Sequence, residues 1–305
     1  MVKQLFISTR PAQWVKNLAV FAAIFFGGKL FSLPELRASS IAFLIFCLAA
    51  SSTYLFNDLL DAQVDLLHSG KKHRPVAAGL VPKKNAIGTI IILAFLALLV
   101  SFYLSITVFF LVGIYLATQV AYNLYLKKVI LLELLIIAFG FIIRVFAGSF
   151  ASGISLSSWL ILAVMMLSLF LAIGKRRSEI TLLGASASKH RLALSAYPIS
   201  LLDGLVFLSA TSTLVTYSLF TFNQSQFGAS RFLTEFLPAT LTSPKWLMIT
   251  IPVVVYGIFR YLYLIFEKKV GDSPEKVLLT DRPLLAAIIV WLLTSGLIIY
   301  FLPTT

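Results

Sequence analysis

Apolar runs of about 20 residues recur along the whole chain, and they constrain its fold more than any other feature. Each run is long enough to cross a hydrocarbon layer of roughly 30 Å as a helix. Helices and closed barrels are the structures that satisfy the backbone in lipid, and the alternation typical of barrel strands is absent from the sequence. Charged residues make up 12% of the chain, about half the share in a soluble domain. The sequence therefore predicts an all-α, polytopic membrane protein.

The chain lacks a polar stretch long enough for a separate soluble domain. Residues 1–305 are therefore predicted to form a single integral-membrane domain. No removable signal peptide is recognised at the start. Nine transmembrane helices are predicted, at about 17–33, 39–60, 86–104, 106–125, 131–150, 157–174, 200–222, 246–266 and 283–302.

The positive charges predict the orientation. With the N-terminus inside, the inside segments carry 19 of the 25 lysine and arginine residues, and the outside segments carry 4. Because cytoplasmic loops are enriched in these residues, the asymmetry predicts an N-in, C-out topology. A nucleic-acid partner is not expected, since the basic residues lie in short loops close to the bilayer.

The stretch YLFNDLLDAQVDLLHSGKKHRPVAAG places acids at the end of an apolar run. Asn57, Asp61 and Asp65 are four residues apart, a spacing that predicts one stripe on a helix, with Asp58 beside it. Carboxylates are costly to bury near a membrane unless a cation compensates them. Oxygen ligands suit Mg²⁺, which often binds one or two carboxylates together with substrate phosphates. The pattern predicts a diphosphate held through Mg²⁺, with Asn57, Asp61 and Asp65 as metal ligands.

Basic residues near this motif are candidates for phosphate binding. Arg74 can fork onto a phosphate, whereas Lys71 and Lys72 supply point charges. Two simpler interpretations stay open: these cations set the topology, or they pair with the acids as a solvated helix end. Arg144 lies within an apolar run, so it must face a polar interior or a partner. The substrate-binding candidates are Lys16, Lys71, Lys72, Arg74, Tyr122, Lys128, Arg144, Lys175, Arg176 and Glu179.

Several stretches together resemble one protein family. NDLLDAQVD followed by RP and AAG is similar to the first acidic motif of the UbiA superfamily of intramembrane prenyltransferases. RPAQWVKN, ELLIIAFGFIIRVFAGSFASG, GKRRSE and SPEKVLLTDRPL resemble its decaprenyl-phosphate phosphoribosyltransferase branch. The resemblance extends from about residue 10 to about residue 290.

The resemblance implies a nine-helix bundle around a polar cavity that faces the cytoplasm of a bacterial inner membrane. It implies Mg²⁺-dependent transfer of 5-phosphoribose from phosphoribosyl diphosphate to a polyprenyl phosphate, with release of diphosphate. In actinobacteria this step leads towards cell-wall arabinan. The catalytic residues expected on this basis are Asp58, Asp61 and Asp65. The lipid length and the oligomeric state stay open, a homo-oligomer included.

One departure separates this chain from the aromatic prenyltransferases of the superfamily. Those enzymes resemble one another in a second aspartate-rich motif, whereas residues 175–199 here contain one acid, Glu179, and five basic residues. A basic second site suits substrates that carry several phosphates. The alternatives are an aromatic prenyltransferase using a prenyl diphosphate, and a transporter or lipid-binding protein without chemistry. Repeated halves, which are frequent in transporters, are not recognised in this sequence.

Overall fold

The structure of the chain, a computed structural model, describes residues 1–66, 70–183, 197–224, 245–268 and 274–301. The described residues form helices and turns, without a strand among them. Of the basic residues behind the topology prediction, Lys189, Arg191, Arg231 and Lys269 lie outside the described residues. The chain divides into two compact units, Met1–Ser155 with Ala185–Tyr197, and Leu156–Gly184 with Pro198–Thr305. The single domain over 1–305 stays a prediction.

The first unit contains seven α-helices and two 3₁₀ helices in its described part. The α-helices are α1 (Val2–Ser8), α2 (Ala22–Phe26), α3 (Leu33–Leu60), α4 (Ala62–Leu66), α5 (Lys83–Leu104), α6 (Ile106–Leu124) and α7 (Leu132–Ser152). The 3₁₀ helices are Pro11–Phe21 and Leu126–Lys128.

The second unit contains five described α-helices and one short 3₁₀ helix, Trp246–Thr250, which leads directly into α10. The α-helices are α8 (Ser158–Leu183), α9 (Ile199–Asn223), α10 (Ile251–Phe266), α11 (Pro274–Thr280) and α12 (Arg282–Phe301).

Within the described residues, eight helical segments are long and apolar enough to cross a membrane. They match eight of the nine predicted spans and confirm a polytopic, all-α membrane fold. The sixth predicted span continues well past residue 174, because α8 extends to Leu183. The first, at 17–33, is replaced by the 3₁₀ helix Pro11–Phe21 and the short α2. The count of nine therefore stays a prediction.

The 3₁₀ helix Pro11–Phe21 packs closely against α7. A Cβ atom at Gly148 would lie 1.8 Å from the carbonyl oxygen of Val20, so the two backbones can approach only because this residue is glycine. Val20 and Ala147 belong to one buried cluster with Phe46 of α3. The apolar contacts of this cluster fix the first segment of the chain beside α3 and α7.

Candidate functional site

The acidic motif lies where α3 ends and α4 begins. Asp61 separates the two helices with φ −91° and ψ 3°, and main-chain hydrogen bonds between residues four apart continue on both sides of it. At about 100° per residue, Asn57 and Asp61 differ in direction by about 40°, and Asp58 and Asp65 by about 20°. The directions of Asn57 and Asp65 differ by about 80°, so the predicted stripe winds around the helix. In the structure the four residues form two pairs, Asn57 with Asp61 and Asp58 with Asp65.

Two arginines hold Asp58 and Asp65, which are both buried. The Nη1 atom of Arg74 donates to Asp58 Oδ1 at 3.1 Å and to Asp65 Oδ2 at 2.6 Å. Arg10 donates through Nη2 to the same oxygen of Asp58, and its guanidinium lies over the ring of Tyr54 at 5.5 Å. Buried carboxylates without such partners would be strongly destabilising, so the arginines are what permit this burial.

Arg74 reaches the acids because the segment after α4 folds back against α3. Val76 and Val81 are buried in a cluster with Leu55 of α3. The turn between the two valines contains Gly79 with φ 72°, a conformation that glycine adopts without steric cost. The predicted neighbourhood of Arg74 and the acidic motif is thus present in the structure.

Arg10 is not among the residues predicted for the site, and the structure adds it. Its backbone lies in the left-handed region, with φ 53° and ψ 63°, which non-glycine residues seldom adopt. Hydrogen bonds hold the chain on both sides of it: Trp14 Nε1 donates to Ser51 Oγ at 3.0 Å, and Ser51 Oγ donates to the carbonyl oxygen of Thr9 at 3.1 Å. In the sequence, the feature that points to Arg10 is its position as the first residue of RPAQWVKN.

Lys127 holds the other pair. Its Nζ atom donates to the two carboxylate oxygens of Asp61 at 2.8 and 3.0 Å, and it lies 3.4 Å from Asn57 Oδ1. The residue predicted from the sequence is the neighbouring Lys128, whose side chain is exposed. Both lysines lie in a 3₁₀ helix, where successive side chains diverge by about 120°, so the two cannot both face Asp61.

The Asn57 and Asp61 oxygens fit a hard divalent cation. They are carbonyl and carboxylate oxygens of the kind that Mg²⁺ prefers, and in this structure they already surround one positive charge, the Lys127 ammonium. Asp65 gives one oxygen to Arg74 instead. Among the described residues, no three histidine, cysteine, aspartate or glutamate side chains are grouped so that they could hold a metal ion. The role of Asp65 as a metal ligand stays a prediction.

Arg144 is buried within α7 and bound by neutral groups. Its Nε donates to Asn17 Oδ1 at 2.7 Å, its Nη1 to the carbonyl oxygen of Gly140 at 2.7 Å, and its Nη2 to Tyr115 Oη at 3.0 Å. The Tyr115 ring also lies 4.8 Å below the guanidinium. These contacts connect the 3₁₀ helix Pro11–Phe21 with α6 and α7. They favour a structural role, and phosphate binding by Arg144 stays a prediction.

The first unit contains four further predicted binding residues. Lys16, Lys71 and Tyr122 are half-buried, and Lys72 is exposed. Their part in substrate binding, like that of Lys128, stays a prediction.

In the second unit, the predicted cluster on α8 is present. Arg176 is buried, and its Nη1 donates to Glu179. Lys175 Nζ lies 3.9 Å from Glu179 Oε1, so the pair expected from the four-residue spacing is the weaker of the two. This cluster neutralises its own acid, and its role towards substrate stays a prediction.

Two further ion pairs in the second unit connect helices. Arg177 donates to Asp203 of α9, and its guanidinium lies 5.3 Å from the centre of the Phe266 ring. Arg260 of α10 forks onto Asp281, with Nε to Oδ1 at 3.0 Å and Nη2 to Oδ2 at 2.8 Å. Asp203 and Asp281 therefore serve as structural partners of arginines.

The fold and the acidic motif agree with the result of a family comparison. The model of the UbiA prenyltransferase family matches residues 18–279, and the chain belongs to this family. Among relatives, the chain is 35% identical over 305 residues to a decaprenyl-phosphate phosphoribosyltransferase of Mycolicibacterium smegmatis, covering 99% of this chain and 94% of the relative. It is 32% identical over 307 residues to the protein of that name from Corynebacterium glutamicum, covering 99% and 87%.

Solved structures show the same fold. A UbiA homologue from Archaeoglobus fulgidus, solved with GPP and Mg²⁺ bound, aligns with a TM-score of 0.69 at 16% identity. The alignment covers 97% of this chain and 99% of the homologue. The same protein with DMAPP and Mg²⁺ bound gives a TM-score of 0.68 at 15% identity. At this level of identity the likeness concerns the fold.

Proposed function

We propose that this protein transfers 5-phosphoribose from phosphoribosyl diphosphate to a polyprenyl phosphate of the decaprenyl-phosphate type, with release of diphosphate. One observation carries the proposal: the acidic motif forms ion pairs with three cations, Arg10, Arg74 and Lys127. This cluster lies in a chain similar over 99% of its length to two enzymes named for that transfer. A site rich in both charges suits a diphosphate leaving group.

The reaction breaks the bond between the anomeric carbon and the diphosphate oxygen and forms a bond from that carbon to an oxygen of the lipid phosphate. The acceptor is already an anion, so the chain needs no strong base to create a nucleophile. Catalysis then rests on positioning and on charge stabilisation. Arg74 is suited to binding a phosphate because its guanidinium offers several donors in a fixed plane.

Asn57 and Asp61 are the residues proposed to hold Mg²⁺, with Asp65 as a third candidate and Asp58 in support. When bound, the metal would neutralise charge on the diphosphate as it departs. The chain itself pairs Asp58 with Arg10 and Arg74, and Asp65 with Arg74, and this arrangement fixes the direction of the Arg74 guanidinium. The basic residues Lys16, Lys71, Lys72, Lys128, Lys175 and Arg176, with Tyr122 and Glu179, remain candidates for the other phosphates and the ribose.

The proposal includes the orientation of the protein. The acidic motif faces the cytoplasm of a bacterial inner membrane, where a water-soluble sugar diphosphate is available, while the polyprenyl tail remains in lipid. The distribution of lysine and arginine supports this orientation.

The direct test is an assay of the purified protein with phosphoribosyl diphosphate, a polyprenyl phosphate and Mg²⁺. We expect a phosphoribosylated lipid by mass spectrometry and none in the presence of EDTA. Absence of this product, together with turnover of a prenyl diphosphate and an aromatic acid, would assign the chain to the aromatic prenyltransferases instead.

Substitution of Asp61 tests the metal assignment within the same assay. D61N removes the negative charge while keeping the shape, so turnover is expected to fall on the order of 100-fold or more. Glu35→Gln is the matched control, because Glu35 lies in the first turn of the same helix at its opposite end and bonds Ser32. Unchanged turnover in D61N, with E35Q also unchanged, would contradict the assignment.

A further inference from the structure

The contacts of Lys127 resemble those of a bound cation. Its ammonium group lies within 3.4 Å of three oxygens, two from Asp61 and one from Asn57. The Lys127 side chain is 12% exposed, whereas that of Asp61 is 34% exposed, so the carboxylate remains accessible from outside while the lysine is enclosed. The site proposed for Mg²⁺ thus has a positive charge of its own.

The backbone around Lys127 fixes this arrangement. The 3₁₀ helix Leu126–Lys128 follows α6 after one residue, Tyr125. Its turn is closed by hydrogen bonds from Lys128 N to Tyr125 O and from Val129 N to Leu126 O, each 3.1 Å long. The helix holds Lys127 towards the acidic motif and leaves Lys128 exposed. The two lysines are therefore chemically identical neighbours in different environments.

An ammonium group and a divalent cation cannot occupy the same oxygens. Mg²⁺ requires ligand distances of about 2.0–2.1 Å, and a positive charge a few ångströms away would repel it. We propose that Lys127 is a resident counter-ion of Asn57 and Asp61, and that it must leave these oxygens before Mg²⁺ can bind. The inference rests on the proposed function, since it takes the metal site from there. Without metal, Lys127 keeps the carboxylate paired.

Competition between Lys127 and the metal would have a distinctive effect on the affinity of the protein for Mg²⁺. If Lys127 competes with the metal, its removal strengthens Mg²⁺ binding, whereas removal of an ordinary binding residue would weaken it. Loss of hydrogen bonds to a charged group corresponds to a change of about 10- to 100-fold in an equilibrium constant. The same removal leaves Asp61 without its partner in the metal-free protein, so that state loses stability.

The experiment is a titration of the full-length protein with Mg²⁺ alone, by calorimetry, in the absence of substrates. K127M is expected to bind Mg²⁺ about 10- to 100-fold more tightly than the wild type, and to unfold at a lower temperature in EDTA. K128M removes the same charge from the adjacent position. It is expected to match the wild type in Mg²⁺ affinity and in unfolding temperature. An affinity in K127M that is equal to or weaker than that of the wild type would overturn the exchange.

A measurement on the unsubstituted protein keeps the test valid if K127M fails to fold. An amine-reactive acylating reagent should modify Lys127 slowly in EDTA and faster in saturating Mg²⁺, while Lys128 reacts equally in both, as read from tandem mass spectra. Equal protection of Lys127 in both conditions would overturn the inference. If neither the wild type nor K127M binds Mg²⁺, the metal assignment of the proposed function fails, whereas equal Mg²⁺ affinity in the two proteins overturns only the exchange.

Discussion

Asp58 is buried to 2% exposure and accepts hydrogen bonds from Arg10 and Arg74, which come from two different parts of the chain. Arg74 bridges Asp58 and Asp65, so the position of one guanidinium depends on both carboxylates. We expect removal of Arg10 to leave Asp58 more dependent on Arg74, which also binds Asp65. We therefore expect Arg10 to act on the site indirectly, by positioning Asp58.

Coupling between Arg10 and Asp58 is testable by a double-mutant cycle. R10Q and D58N should each destabilise the protein, and the double variant should lose less than the sum, with a coupling energy of roughly 1–3 kcal/mol. Thermal unfolding in detergent measures the stabilities, and R10K should restore part of the loss of R10Q because it keeps the charge. Additive losses would contradict the pair.

At the scale of the element, Asp281 both begins a helix and binds a neighbouring one. Its Oδ1 accepts a hydrogen bond from the main-chain N–H of Leu284 at 3.0 Å, which caps α12. Arg260 of α10 also donates two hydrogen bonds to this carboxylate, one to each oxygen. Hydrogen bonding to Arg260, followed by the Leu284 N–H, lowers the pKa of Asp281 below its ordinary value. One side chain therefore connects the start of α12 with Arg260 in the interior of α10.

A lowered pKa in the folded state predicts how stability depends on pH. The contribution of Asp281 is fully present above its pKa in the unfolded chain, about 3.9, and is lost as pH falls through the lower folded value. At pH 7, D281N should unfold at a lower temperature than the wild type, and the difference should shrink as the pH falls below about 4. D281A should cost about 1 kcal/mol more, since asparagine still caps a helix and alanine does not.

Thermal unfolding of the three proteins from pH 7 downwards checks this prediction. A difference between wild type and D281N that stays constant down to pH 3 would show that the charge of Asp281 contributes nothing to the fold.

At the scale of the whole molecule, the number of crossings determines which side of the membrane each terminus faces. Eight long helical segments in the described chain would leave both termini on the same side. The 3₁₀ helix Pro11–Phe21 and α2 together rise about 30 Å, because 3₁₀ residues advance about 2.0 Å each and α residues about 1.5 Å. That length suffices for a hydrocarbon layer, so a ninth crossing by this segment is compatible with the N-in, C-out proposal.

Fusions after Thr305 test the topology. With nine crossings and the N-terminus inside, alkaline phosphatase fused there should be active and green fluorescent protein should be dark, because the C-terminus lies outside. The matched fusions in the loop near Lys83, between α4 and α5, should behave in the opposite way. A fluorescent C-terminal fusion would mean an even number of crossings, and the segment Pro11–Phe26 would then not span the bilayer.

Eight of the nine predicted spans, the family and the position of the acidic motif can be read from the sequence alone, because hydrophobicity over about 20 residues and the NDLLDAQVD pattern are local properties. Which cation pairs with which acid depends instead on the packing of the helices. Arg10 and Asp58 are 48 residues apart, and Lys127 and Asp61 are 66 apart, so their contacts depend on how helices pack and not on any local period. The choice between Lys127 and Lys128 depended on the direction of one 3₁₀ turn, which composition and charge do not encode.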